Sequence, residues 1–347
     1  MPVSHRDLQL DGQPSAALLD CGQDGDVPRR VLTPGPVIVG AGPSGLATAA
    51  CLKVRGVPSL VLERDACVAA SWRHRTYERM RLHLPRCFCE LPLAPFPPGT
   101  PPYPTRDQFV AYLDEYARAF AVEPLLGARV RAAAYDAAIG FWRVTVKVVG
   151  KDAMTTMATE FMSRWLVVAT GENAEPVWPG GVEGMDVYRG TVMHTSTYKR
   201  GDEFAGKKVL VVGCGNSGME VSLDLCDNGA KASMVVRDKV VPAINRFTES
   251  GVEFADGRKD FDAVILATGY KSNVPSWLKE DEFFSQSDGF PRMAFPHSWR
   301  GKNGLYATGF TRRGLMGSSY DASRIAADIA DQWTEALARN ITAHNNA

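Results

Sequence analysis

An α/β fold, with one strand–glycine-loop–helix unit inserted inside another, is predicted by three features of the chain. The first is Gly40-Ala-Gly-Pro-Ser-Gly45, which follows the apolar run Pro36-Val37-Ile38-Val39 and precedes a helix-forming stretch from Ser44 to about Arg55. The second is Gly213-Cys-Gly215-Asn-Ser217-Gly218, with Lys208-Val-Leu-Val-Val before it and Ala232-Ser-Met-Val-Val-Arg237 after it. The third is a strand end of the form apolar-Ala-Thr-Gly, found at 169–171 and again at 267–269, on either side of the second unit. Two strand–GxGxxG–helix units in one chain are two Rossmann-like dinucleotide-binding domains. On this reading residues 35–185 and 262–340 form the outer domain and 190–261 the inserted one, while 1–34, mixed in composition and without period, is a mobile tail.

The glycine spacing has a physical meaning. Gly40 allows the tight turn, Gly42 lets a diphosphate approach the backbone, and Gly45 lets the helix lie close on the strand. The helix N-terminus then offers free N–H groups and positive dipole to phosphate. The next apolar run, Ser59-Leu-Val-Leu-Glu63, ends in an acid 18 positions past Gly45 (63 − 45), near the ~20 expected for a carboxylate that takes a ribose hydroxyl pair. A solvated strand end is the plainer alternative. The corresponding residue of the second unit is Arg237, 24 positions past Gly213 (237 − 213). An arginine there suits the 2′-phosphate of NADP, or is simply a solvated side chain.

Between the units, Leu91 to Pro104 is proline-rich and cannot hold a regular element, because its prolines lack N–H donors and push preceding residues to extended shapes. Thr105 with Gln108 reads as a capping box, and Phe109, Tyr112, Leu113, Tyr116 and Phe120 make one apolar helical face, a core stripe. Phe141 to Val149 alternates as a half-buried strand does. A closing helix runs from Ser319 to about Leu337, with Ile325, Ile329, Trp333 and Leu337 on one face.

Composition narrows the function classes. Of the 347 residues, 45% are hydrophobic and 22% charged, values of a soluble globular protein. Lys+Arg 39 balance Asp+Glu 39, which argues against a broad electrostatic footprint for nucleic acid or anionic membrane. The apolar runs are strand-length, short of the ~20 residues of a transmembrane span, and the first residues do not read as a secretory leader. Seven scattered cysteines give neither a disulfide framework nor a zinc spacing, so no metal is expected and the cytoplasm is the expected compartment. Two dinucleotides, one held through an acid and one through an arginine, describe FAD fed by NADPH. No redox CxxC is present, which leaves oxygen or a diffusible acceptor.

At this point the residues resemble a family. Tyr188-Arg-Gly190-Thr-Val-Met-His194-Thr-Ser-Thr-Tyr198 is similar to the FxGxxxHxxxF/Y signature of flavin-containing monooxygenases, with Tyr188 in place of Phe, and Ala267-Thr-Gly-Tyr270 to their ATGY strand end. More narrowly, Trp72, Leu82-His-Leu-Pro85, Cys89-Glu-Leu-Pro92, Ala169-Thr-Gly-Glu-Asn-Ala-Glu-Pro176 and Gly309-Phe-Thr-Arg-Arg-Gly314 resemble plant YUCCA-type monooxygenases, over about residues 34 to 335. The resemblance implies FAD held by Gly40, Gly42, Pro43, Ser44, Gly45, Glu63, Arg64 and Trp72, and NADPH held by Gly213, Gly215, Asn216, Ser217, Gly218 and Arg237. It further implies that O2 adds to the reduced flavin as a C4a-peroxide, which attacks the keto carbon of indole-3-pyruvate. Loss of CO2 then leaves indole-3-acetate, the hormone auxin. It assigns catalytic roles to His83, as a hydrogen-bond donor near the flavin or else a structural imidazole, and to Asn173. Arg312 or Arg313 could pair with the substrate carboxylate or be solvated, and His194 reads as a domain-positioning residue.

The chain departs from the resemblance directly after Arg237. Family members place a long, partly apolar helical segment before the strand that resembles Val240 to Ile244. A parallel crossover needs a dozen or more residues, and Asp238-Lys239 supply two. Either the inner domain loses its third parallel strand or Val240 turns back as an antiparallel hairpin. Two rival functions follow: a flavin-binding but silent shortened protein, alone or associated with full-length relatives, and a monooxygenase of amines or sulfides.

Overall fold

A computed structural model describes residues 28–149, 156–236 and 244–345. The outer parallel sheet has the order β18 (Leu305–Ala307), β7 (Leu166–Val168), β2 (Val37–Val39), β3 (Leu60–Leu62). Nearly every residue in it is buried, as a sheet covered on both faces requires, which explains the unbroken apolar runs. Helix α1 (Pro43–Lys53) follows β2 and is buried from Pro43 to Leu52, enclosed by α5 (Leu315–Asn345) and α3 (Arg106–Ala119). Helix α5 begins four residues before the expected Ser319 and runs past Leu337. Its Ile325 and Ile329 are buried, but Leu337 is exposed because the helix outruns the core it packs on.

The capping box forms at the start of α3: Thr105 Oγ1 accepts from Gln108 N, and Gln108 Oε1 accepts from Thr105 N. The aromatic stripe of α3 then holds the proline-rich strap. Tyr112 Oη donates to Ala94 O at 2.7 Å and accepts from Leu91 N at 2.8 Å, while Tyr116 Oη donates to Pro92 O at 2.8 Å. Buried phenols need such partners, and the strap needs an anchor because its prolines cannot join a sheet.

A five-stranded sheet flanks this unit in the order β1 (Arg29–Leu32), β6 (Thr156–Ser163), β5 (Phe141–Val149), β4 (Ala128–Asp136), β17 (Leu278–Lys279). Residues 29–32, expected within a mobile tail, are thus an edge strand parallel to β6, with Val31 buried and Thr33 Oγ1 donating to Met162 O. Residues 1–27 of that expected tail lie outside the described residues.

The inserted unit is a parallel sheet ordered β11 (Lys231–Val235), β10 (Lys208–Val212), β15 (Ala263–Leu266), β9 (Thr191–His194), with α4 (Asn216–Asp227) after β10. Beside it lies an antiparallel meander, β12 (Ile244–Phe247), β13 (Gly251–Phe254) and β14 (Gly257–Asp260). Among the described residues no strand lies outside β11, and Ile244 enters the meander; the expected turn at Val240 lies outside the described residues. A short ribbon, β8 (Glu175–Pro176) with β16 (Tyr270–Lys271), pairs the segments after the two Ala-Thr-Gly strand ends. No helix among the described residues is long and apolar enough to cross a membrane.

Candidate active site

A cavity of about 930 Å³ opens at the carboxyl ends of β2, β3, β7 and β18, where open α/β sheets bind ligands. Gly40 sits at φ +111°, and a Cβ there or on Gly45 would collide with Ala169 O or Gly40 O respectively. A Cβ on Gly42 would meet nothing within 4 Å. Gly42 therefore faces the cavity and leaves room for a phosphate against the backbone. It is the N-cap of α1 with no side-chain cap, so the first N–H groups of that helix stay available. Pro43 and Ser44 also line the cavity, and Ser44 Oγ donates to Ser318 Oγ at 2.8 Å, tying α1 to α5.

Glu63 ends β3 and is only 8% exposed. Its Oε2 accepts from Ala41 N at 2.8 Å and its Oε1 from Asp65 N at 3.0 Å. The acid thus braces the glycine turn from behind. A carboxylate has about four lone-pair sites, so both oxygens keep acceptor capacity for ribose hydroxyls. Arg64 lines the cavity beside Asp65, at 3.6 Å. Trp72, on the short helix α2 (Ala70–His74), forms a wall and packs edge-on against Phe109 at 4.6 Å. Two buried polar atoms of lining residues lack a partner, Thr170 Oγ1 and Asn273 Oδ1. An open glycine face, a buried acid with spare lone pairs and orphaned polar atoms together fit a flavin dinucleotide.

His83 and Asn173 line the same cavity and are exposed. Glu172 Oε2 accepts from Arg312 N at 3.0 Å. Burial pushes the Glu172 carboxyl above its ordinary range, with the Arg312 N–H and charge opposing. Arg312 has the left-handed φ of +54°, so the two arginine side chains diverge: Arg312 pairs with Asp288 at 3.0 Å and stacks over Phe290 at 4.2 Å, while Arg313 lies over Phe295 at 5.1 Å and lines the cavity.

The second loop repeats the glycine geometry. Gly213 has φ +115°, a Cβ on it or on Gly218 would collide with Ala267 O or Gly213 O, and Gly215 has nothing within 4 Å. That open face and the uncapped start of α4 suit a second diphosphate. Ser217 hydrogen-bonds the buried Tyr77, whose hydroxyl burial pushes up to about 12. Of this loop only Asn216 lines the cavity, so it faces the space between the two units. Arg237 lies outside the described residues. His194 is fully buried: Nε2 donates to Gly269 O and Nδ1 accepts from Ser196 N, both at 3.1 Å. Burial lowers its pKa, so the ring is a neutral brace between β9 and the Ala267-Thr-Gly-Tyr270 strand end.

Sequence reasoning misses several lining residues. Arg129 and Arg131, alternate positions on β4, together with Asn273 and Trp277, border the cavity. They carry no motif, and only the packing of the five-stranded sheet brings them there. Thr170 was within reach, since it sits in the Ala-Thr-Gly motif.

Residues 37–253 match the pyridine nucleotide-disulphide oxidoreductase family. The rice protein named indole-3-pyruvate monooxygenase YUCCA1 is 46% identical, with 88% of this chain and 94% of that protein covered. The Arabidopsis thaliana indole-3-pyruvate monooxygenase YUCCA6 is also 46% identical, over 89% of this chain and 93% of its own. Among solved structures, a flavin-containing monooxygenase from Stenotrophomonas maltophilia shares the fold at TM-score 0.73 and 22% identity, covering 86% of this chain and 98% of its own. The S-allyl-L-cysteine S-oxygenase of Allium sativum does so at 0.67 and 21%, covering 92% and 83%. The rice alignment spans 391 positions, of which this chain fills about 305 (88% of 347), so about 86 are occupied by the relative alone. Identity near one half with relatives that cover 88–89% of this chain, and a family match that spans both glycine loops, make this chain a member of the YUCCA family of flavin monooxygenases.

Proposed function

We propose that this chain is an FAD-dependent, NADPH-consuming monooxygenase that converts indole-3-pyruvate to indole-3-acetate, the auxin. The observation that carries the reading is one cavity bordered by the Gly40–Gly45 cradle with Glu63 and reached by Asn216 of the second cradle, in a chain whose relatives bear that name. The overall balance is 2-oxo acid, O2, NADPH and H⁺ giving the shortened acid, CO2, NADP⁺ and water.

A bound FAD would supply the hydride-accepting and O2 chemistry. The protein's part is to bind, orient and exclude water. The Gly42 face and the α1 N-terminus take the diphosphate, with Pro43 and Ser44 beside it, and Glu63 takes ribose hydroxyls. Arg64 adds positive charge nearby, and Trp72, braced by Phe109, closes one side. Gly213, Gly215, Ser217 and Gly218 form the NADPH cradle, Asn216 stands between the cofactors, and Arg237 receives the 2′-phosphate. His83 and Asn173 offer N–H donors at the reacting end. In the domain scheme that this assumes, 35–185 and 262–340 hold FAD and 190–261 NADPH. The free thiols, including Cys87 and Cys89 two positions apart, fit the cytoplasm.

Product analysis tests the reading. FAD-loaded protein, given NADPH, air and indole-3-pyruvate, should release one indole-3-acetate and one CO2 per NADPH. NADPH consumed with only H2O2 formed, or a thioether oxygenated in preference to the 2-oxo acid, would contradict it. A second reading, a flavin-binding but silent protein associated with full-length relatives, is favoured by one observation: about 86 positions of the rice relative have no counterpart here, and only residues 236–243 link β11 to β12. It predicts yellow protein that NADPH cannot reduce.

A further inference from the structure

A 2-oxo acid carries a carboxylate that a flavin site does not itself bind, and the cavity is lined by several arginines. The arginines lining the cavity differ in what they already hold. Arg64 lies beside Asp65, and Arg312 is committed to Asp288 and to the face of Phe290. Arg129 and Arg131 project from β4, whose first residues hydrogen-bond back to Glu63, at the expected ribose end. Arg313, like Arg129 and Arg131, has no carboxylate partner among the described residues; its guanidinium rests over the Phe295 ring. It lines the cavity together with His83 and Leu84, and Leu84 Cδ1 lies 3.8 Å from the point a Cβ on Gly314 would occupy. The segments that carry His83 and Arg313, the chain neighbours of Leu84 and Gly314, thus meet at the cavity wall, which Leu315 also lines.

The positive φ of Arg312 produces this arrangement. Its N–H is held by Glu172 and its side chain is drawn toward Asp288, while the next residue, Arg313, keeps its guanidinium over Phe295 on the cavity lining. A guanidinium at an apolar rim binds carboxylate in fork geometry more strongly than an ammonium would.

We propose that Arg313 is the specificity-determining residue that anchors the substrate carboxylate, and that Arg312 is a positioning residue that aims it. The assignment rests on the monooxygenase reading above. Steady-state kinetics on FAD-loaded full-length protein test it, comparing indole-3-pyruvate with the uncharged ketone indole-3-acetone. R313Q should raise KM for the 2-oxo acid by about 10- to 100-fold, the loss expected for charge-assisted hydrogen bonds, and should collapse the preference for acid over ketone. R313K should recover part of that preference. R312Q should lower thermal stability and disturb flavin loading more than it changes the acid-to-ketone ratio. An R313Q protein with the wild-type ratio, or an R312Q protein in which the ratio collapses instead, overturns the assignment while leaving the monooxygenase reading intact. Wild-type protein that oxygenates neither compound overturns both.

Discussion

At Gly40 and at Gly213 the backbone turns with φ of +111° and +115°, and a third glycine five residues on meets the carbonyl of the first in each loop. The middle glycines, Gly42 and Gly215, both face open space. The loops are equivalent, but their surroundings are not. The first is braced by the buried Glu63 and opens on a cavity walled by α2, β4 and α5. The second stands at the end of a sheet in which, among the described residues, no strand lies beyond β11, and its helix α4 exposes Met219 and Leu223. Loop geometry is set by close backbone packing and survives a change in its neighbours. Affinity depends on walls. FAD should therefore be retained through purification, while NADPH should bind more weakly than in full-length relatives.

Buried aspartates behind the two units sharpen the contrast. Asp224, in α4, accepts from Tyr198 Oη at 2.6 Å and from Asn228 Nδ2 at 3.2 Å, with Arg79 at 3.4 Å. Asp321, in α5, is as deeply buried, and its Oδ1 has no partner. Burial pushes the Asp321 carboxyl up to about 7, with the Gly309 N–H and Arg324 opposing.

The largest expected effects come from Gly45→Ala and Gly218→Ala, where a Cβ would strike the first glycine's carbonyl. Each should destabilise its unit by about 3 kcal/mol or more. Gly45→Ala should lose FAD on gel filtration. Gly218→Ala should stay yellow but resist reduction by NADPH. If both variants lose FAD equally, the two loops are not independent.

Next in size is the pH dependence of Asp321. An unfolded aspartate titrates near ~3.9, so between about pH 4 and 7 the folded state keeps a proton that the unfolded state has released. Stability should then fall as pH rises across that window, by an amount on the order of a few kcal/mol. Denaturant melts at several pH values should show this slope in wild type and lack it in Asp321→Asn; equal slopes would contradict the account.

Glu63→Gln keeps shape but removes charge from the braced turn. FAD affinity, measured by quenching of flavin fluorescence on titration into apoprotein, should fall about 10-fold or more. An unchanged affinity would mean that Glu63 serves the turn alone. The smallest stability effects belong to Gly42→Ala and Gly215→Ala, each costing the fold less than about 0.5 kcal/mol because the new methyl enters open space. Each should still weaken its own dinucleotide, and neither the other's.

Both glycine loops, the strand ends and the Thr105 cap were legible because each is written in contiguous residues. The edge strand at Arg29–Leu32 was not, since its partner β6 lies more than a hundred residues away and its own stretch has no period. The same holds for Arg129, Arg131 and Asn273, which reach the cavity only through tertiary packing. Sequence left Arg312 and Arg313 equivalent; a single positive φ separates their partners. Loop length alone excluded a parallel crossover after Arg237, because eight residues cannot carry one.

Anaerobic mixing of the FAD-loaded protein with NADPH, followed by flavin absorbance, tests the central claim most directly. The account predicts that the flavin bleaches, at NADPH concentrations higher than a full-length relative requires, and recovers its colour when air and the 2-oxo acid are admitted. A flavin that stays oxidised at every NADPH concentration would mean that the second loop, intact in its geometry, no longer delivers hydride.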